Sequence, residues 1–92
     1  MAKVWQIRGY DGDNPTFERE LPFGSVTDLE METILQRLQA RHLTDDEIVS
    51  ASLRKNMAGY RHDFEIQQNI GGGLALMTNG SGWLYTARPV EK

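Results

Sequence analysis

Residues 66–87 read IQQNIGGGLALMTNGSGWLYTA, and this stretch decides the fold. It holds no Asp, Glu, Lys or Arg in a chain of which 25% is charged, so it belongs at the centre of a sheet. Two breaks, Asn69-Ile70-Gly71-Gly72-Gly73 and Asn79-Gly80-Ser81-Gly82, cut it into strand-sized pieces. Glycine and asparagine there supply the positive φ angles that hairpin turns require. The pattern predicts strands over 62–68, 73–78 and 83–88, with Pro89 ending the last because it brings no ladder donor.

Strand parity then sorts the side chains. A tight turn over 79–82 sets Thr78 opposite Trp83 and Leu76 opposite Tyr85, and opposite residues share a face. One face gathers Leu74, Leu76, Trp83 and Tyr85, joined by Phe64 and Ile66 under a similar register across the glycine triplet. The other receives Ala75, Met77, Leu84, Thr86, Gln67 and Val4.

Working outward, residues 3–9 alternate Lys3, Trp5 and Ile7 against Val4, Gln6 and Arg8, the period-two signature of a strand. Residues 10–15, Tyr-Asp-Gly-Asp-Asn-Pro, are a cluster of turn formers. Phe17, Arg19 and Leu21 then alternate against Glu18 and Glu20, so the chain opens with a hairpin whose Trp5, Ile7, Phe17 and Leu21 join the core.

Two helix starts follow. Thr27 stands three residues before Glu30, a capping box, with Val26 and Met31 at the staple positions. Met31, Ile34, Leu35, Leu38 and His42 form one apolar stripe, with acids leading and bases trailing as the helix dipole favours. Thr44 and Glu47, with Leu43 and Ile48, repeat the signature and predict a shorter helix from Asp45 to about Asn56. Val49, Ala51 and Leu53 also alternate with Ser50, Ser52 and Arg54, which keeps a strand open as the alternative there. Residues 56–60 are a connection.

With 92 residues and 39% hydrophobic content, the chain is one domain with a single core. The element order ββααβββ predicts a two-layer α+β fold: a mainly antiparallel sheet of about five strands with one long and one shorter helix packed on one face. Cysteine is absent, which excludes disulfides and thiolate chemistry. The N-terminal residues enter the strand pattern directly, without an apolar signal core, so a soluble, cytoplasmic protein is expected. Asn79-Gly80-Ser81 matches a glycosylation acceptor but reads as turn chemistry in that setting. A net charge of −3 marks neither a basic nucleic-acid binder nor an acidic tail.

No motif reaches a recognisable chemistry. Asp11-Gly12-Asp13-Asn14 carries a trace of a calcium loop, but Pro15 takes the third ligand position and Pro22 stands where the bidentate glutamate belongs. The glycine triplet is not a phosphate loop, since no helix follows it. Only His42 and His62 can serve as imidazole bases; His42 sits where a helix end suits a cation, and no serine is placed beside His62. The two histidines lack zinc-ligand spacing. Glu18 with Glu20, Glu30 with Glu32, and Asp45 with Asp46 read as solvated surface acids. No cofactor or metal is expected.

One functional hint remains. The last two strands put only Arg88 as a charge onto the outer face, where polar residues normally alternate in. Met77, Leu84, Thr86, Arg88 and Gln67 are therefore the candidate contact surface for another protein or for a second copy of this chain. The expected function is non-catalytic binding, that of a small regulatory, adaptor or inhibitor protein. Phage-encoded and antitoxin-like inhibitors share this size and charge, an analogy only. The alternatives are a nucleic-acid patch of Arg54, Lys55 and Arg61 with Tyr60, in a stretch over 48–62 free of acids, and a small enzyme acting through His62.

Overall fold

The computed structural model describes residues 3–68, 75–79 and 82–92. Five strands form one antiparallel sheet: β1 Lys3–Asp11, β2 Asn14–Pro22, β3 Ile66–Gln68, β4 Leu76–Thr78 and β5 Trp83–Glu91. Helices α1 Asp28–Ala40 and α2 Asp45–Ala51 separate β2 from β3. The strand order is β2-β1-β5-β4-β3, so the α+β class and the order ββααβββ both hold. Among the described residues no helix is long and apolar enough to cross a membrane.

The opening hairpin is tight. Asp11 faces Asn14, and Gly12 takes φ 61° between them, the left-handed geometry that a two-residue loop demands. Its tip is tied down by a Gly12 N–H to Gly82 C=O bond of 2.9 Å. Strand β1 then pairs along its whole length with β5, from Lys3 opposite Glu91 to Asp11 opposite Trp83.

The inner face is the core. Trp5, Ile7, Leu76, Tyr85 and Ala87 from the sheet meet Met31 and Leu35 from α1, all buried, and each such large side chain contributes roughly 1.5–3 kcal/mol by leaving water. Phe17, Leu21, Ile66, Val26, Ile34 and Leu38 pack around them. Trp5 stacks on Phe23 at 5.2 Å. Helix α1 starts as its capping box dictates: the Glu30 N–H donates to Thr27 Oγ1 at 3.1 Å and the Thr27 N–H to Glu30 Oε1 at 2.8 Å.

Several details depart from expectation. The opening strands run on into the turn expected over 10–15, β1 to Asp11 and β2 from Asn14, because the loop needs only Gly12 and Asp13, and β4 leaves out Ala75. The Thr44 and Glu47 box does start a helix, but α2 stops at Ala51, well before Asn56. Ser52 Oγ there bonds back to the Ile48 carbonyl, and turns closed at Met57 and Tyr60 carry the chain on to Gly59 at φ 86°. Strand β3 begins at Ile66 rather than at 62, because a Glu65 N–H to His62 C=O bond closes a turn first.

Pairing of β4 with β5 is shifted by two residues from that expected, Leu76 opposite Ala87 and Met77 opposite Thr86, so the connection between the paired residues is longer than the tight turn expected between Thr78 and Trp83. An even shift keeps every side chain on its expected face. Finally, β5 runs through Pro89 to Glu91. Beyond Ala87 its only described partner is β1, the one-sided setting in which proline is tolerated. The glycine triplet, Leu74, and Gly80 with Ser81 lie outside the described residues.

Candidate functional site

Register alone builds the outer face. Arg8 lies opposite Glu18 on one side and Thr86 on the other, Thr86 opposite Met77, and Met77 opposite Gln67. One row of side chains, Glu18, Arg8, Thr86, Met77 and Gln67, therefore crosses all five strands. The next row sets Glu20, Gln6 and Arg88 side by side, and on the far side Tyr10 faces Leu84.

Short side chains in the middle of these rows leave a depression. Thr86 and Ala75 sit among the longer Gln6, Arg8, Tyr10, Met77 and Arg88, and together they enclose about 260 Å³. Leu76 and Ala87, whose side chains are buried on the opposite face, supply its floor. Met77, Leu84 and Thr86 are half-buried, while Arg88 and Gln67 are exposed; no residue of either helix lines the depression. The five expected contact residues thus share one face.

That face is less uniformly apolar than the last two strands suggest. Strand β2 adds Glu18 and Glu20, held in ion pairs with Arg8 (3.0 Å) and Lys92 (2.7 Å). The Tyr10 side chain, then Glu18, raise the Arg8 pKa through hydrogen bonds, so the guanidinium stays charged. Gln6, Arg8 and Tyr10 were absent from the sequence-derived set, although the alternation of β1 already put Gln6 and Arg8 opposite Trp5 and Ile7. What was missing was the long pairing of β1 with β5, which no local motif announces. Glu18 and Glu20, read as solvated acids, are exposed and paired.

The basic cluster fares differently. Arg61 is claimed by acids from outside its own stretch, Glu47 at 3.1 Å and Asp63 at 2.7 Å, which raise its pKa, Asp63 first. The Tyr60 hydroxyl donates to Glu65 Oε2 at 2.6 Å, and that bond pushes its pKa up to about 12. Arg54 and Lys55 are exposed, so the structure does not bring the four residues together as one free cationic surface.

His62 finds its acid in Glu65, with Nδ1 2.7 Å from Oε2. Tyr60, then His62, hold the Glu65 carboxyl below its usual range. The His62 side chain is 68% exposed, and the shallow cleft beside it is lined by Tyr60, Arg61, His62, Asp63 and Asn79. A histidine and carboxylate dyad this open to water has little of the desolvation that tunes groups for acid and base catalysis.

His42 is not the dipole-compensating cation that its position suggests. Its ring stacks on Trp83 at 3.7 Å and 5°, and its Nε2 meets the Tyr85 hydroxyl at 2.5 Å. Burial and then Arg41 lower its pKa, against a smaller opposing pull from Asp11; burial likewise raises that of Tyr85. The pair is a neutral aromatic clasp between the end of α1 and β5. Among the described residues no group of three His, Asp or Glu side chains is placed to hold a metal ion.

Comparison with protein-family models, curated proteins and solved structures found no match to this chain.

Proposed function

We propose that this chain is a non-catalytic binding protein, a small regulatory, adaptor or inhibitor protein that docks another protein on the outer face of its sheet. The observation that carries the reading is the depression around Thr86: a concave site open to solvent, with Met77 and Ala75 as apolar contacts and Gln6, Arg8 and Arg88 as polar ones. An apolar centre with a polar rim rich in Arg and Tyr is the make-up of protein interfaces. Its 260 Å³ falls below the roughly 300–1,000 Å³ of small-molecule pockets and suits one or two inserted side chains. The partner is a different protein rather than a second copy, because a two-fold dimer through this face brings the same patch together from both sides, Arg88 included.

A displayed library of random peptides, selected on the intact chain, tests this. Clones that bind the wild type and lose binding to Met77→Glu are expected, with the chain itself monomeric on sizing. If every recovered clone binds the variant equally, or none is recovered, the reading fails. A dimer that Met77→Glu dissociates makes the second copy the occupant and overturns the choice of a foreign partner.

A further inference from the structure

The chain carries a net charge of −3, yet the lining of the outer depression holds two guanidinium groups and, among the described residues, no carboxylate. Arg8 gives its Nε to Glu18, whereas Arg88 has no ion pair among the described residues. Since Arg8 faces Thr86, Arg88 is its diagonal neighbour on β5, roughly 7–8 Å away, a gap that long side chains close. Thr86 and Ala75 between them leave the room, and Met77 borders it.

We infer that this site recognises an acidic peptide segment of its partner: a carboxylate set against Arg88 and Arg8, with an apolar side chain of the same segment laid over Thr86 and Met77. The inference rests on the protein-binding reading and names what that partner presents. A guanidinium fork matches a carboxylate with two parallel hydrogen bonds, and the neighbouring Met77 and Ala75 side chains favour a peptide over a polyphosphate chain. Nucleic acid is the weaker candidate, since its affinity comes from many phosphate contacts, and two cations on a net acidic molecule supply few.

Fluorescence anisotropy with three labelled probes decides it: a peptide alternating Glu and Leu, its Lys and Leu counterpart, and a single-stranded oligonucleotide of equal length. The acidic peptide should bind, weaken with added salt, and lose about tenfold in affinity on Arg88→Glu, while the lysine peptide gains. Circular dichroism confirms that this exposed substitution leaves the fold intact. Equal binding of both peptides, tighter binding of the oligonucleotide, no binding of the acidic peptide, or indifference to Arg88→Glu overturns the inference. Library clones that depend on Met77 but carry no acidic residues remove this inference alone, whereas the absence of any such clone removes the binding face itself.

Discussion

The two faces of β1 and β5 come from alternate residues of the same strands and share every backbone hydrogen bond, but they do different work. On the inner face Trp5, Ile7, Tyr85 and Ala87 are sealed against Met31 and Leu35. On the outer face Gln6, Arg8, Tyr10, Thr86 and Arg88 stand around an open hollow. Stability is concentrated on one side, which leaves residues on the other free to be chosen for contact. Substitutions should divide along the same line.

The largest effect is expected at Trp5, fully buried and stacked on Phe23. Trp5→Ala should cost about 3–5 kcal/mol in urea unfolding, a large part of the ~5–15 kcal/mol that holds a domain together. A loss below about 1 kcal/mol would break the contrast, for the inner face would then not be the core.

Next comes Gly9, whose missing side chain makes room for its neighbour. A Cβ there would lie 2.6 Å from Tyr85 Cε1 and 3.3 Å from Phe17 Cβ, and the Tyr85 ring is itself held by His42. Gly9→Ala should destabilise by about 1–3 kcal/mol, read as a shift in the urea midpoint, whereas Arg8→Ala next to it should cost far less.

The His42 clasp gives the inner face a pH dependence. Its folded pKa lies below the ordinary 6.5, so the unfolded chain takes up the proton first. Its contribution is complete above the ordinary value and is lost as pH falls from there towards the lowered one. Urea midpoints measured across that interval should drop for the wild type and flatten for His42→Gln. At lower pH, Glu47 and Glu65, both held below the usual carboxylate range by hydrogen bonds, add their own loss. An identical slope in the variant would show that the clasp does not couple protonation to folding.

The smallest effect belongs to the outer face. Met77→Glu should lower the unfolding free energy by about 1 kcal/mol or less while it removes peptide binding. A collapse of the fold instead would place Met77 in the core and erase the distinction between the faces.

Much of the inner face was legible because its signals are local. Each capping box consists of two residues three apart, and both boxes start helices; Trp5 and Ile7 declare their face by period two. Signals that depend on distant partners were hidden. Gln39 is buried within α1 although polar, and only tertiary packing puts it there.

Arg61 sits in a stretch without acids, yet Glu47 and Asp63 reach it from either side. The end of α2 is hidden because it is set by the Ser52 bond back to the Ile48 carbonyl and by the turns that follow, which no residue pattern before Gly59 announces. Parity alone puts Met77, Leu84, Thr86, Arg88 and Gln67 on one face, while the contribution of β1 needs its register with β5.

One edge of the sheet bears on how the molecule can meet others. Strand β2 is the long free margin, with Pro15 and Pro22 near its ends and Glu18, Arg19 and Glu20 between. An antiparallel copy centred on Arg19 would confront arginine with arginine and set Glu18 against Glu20, and prolines add no donors. Growth of the sheet by strand addition from its own kind is thereby discouraged. A partly greasy flank and a border that resists self-pairing thus sit in the same small sheet.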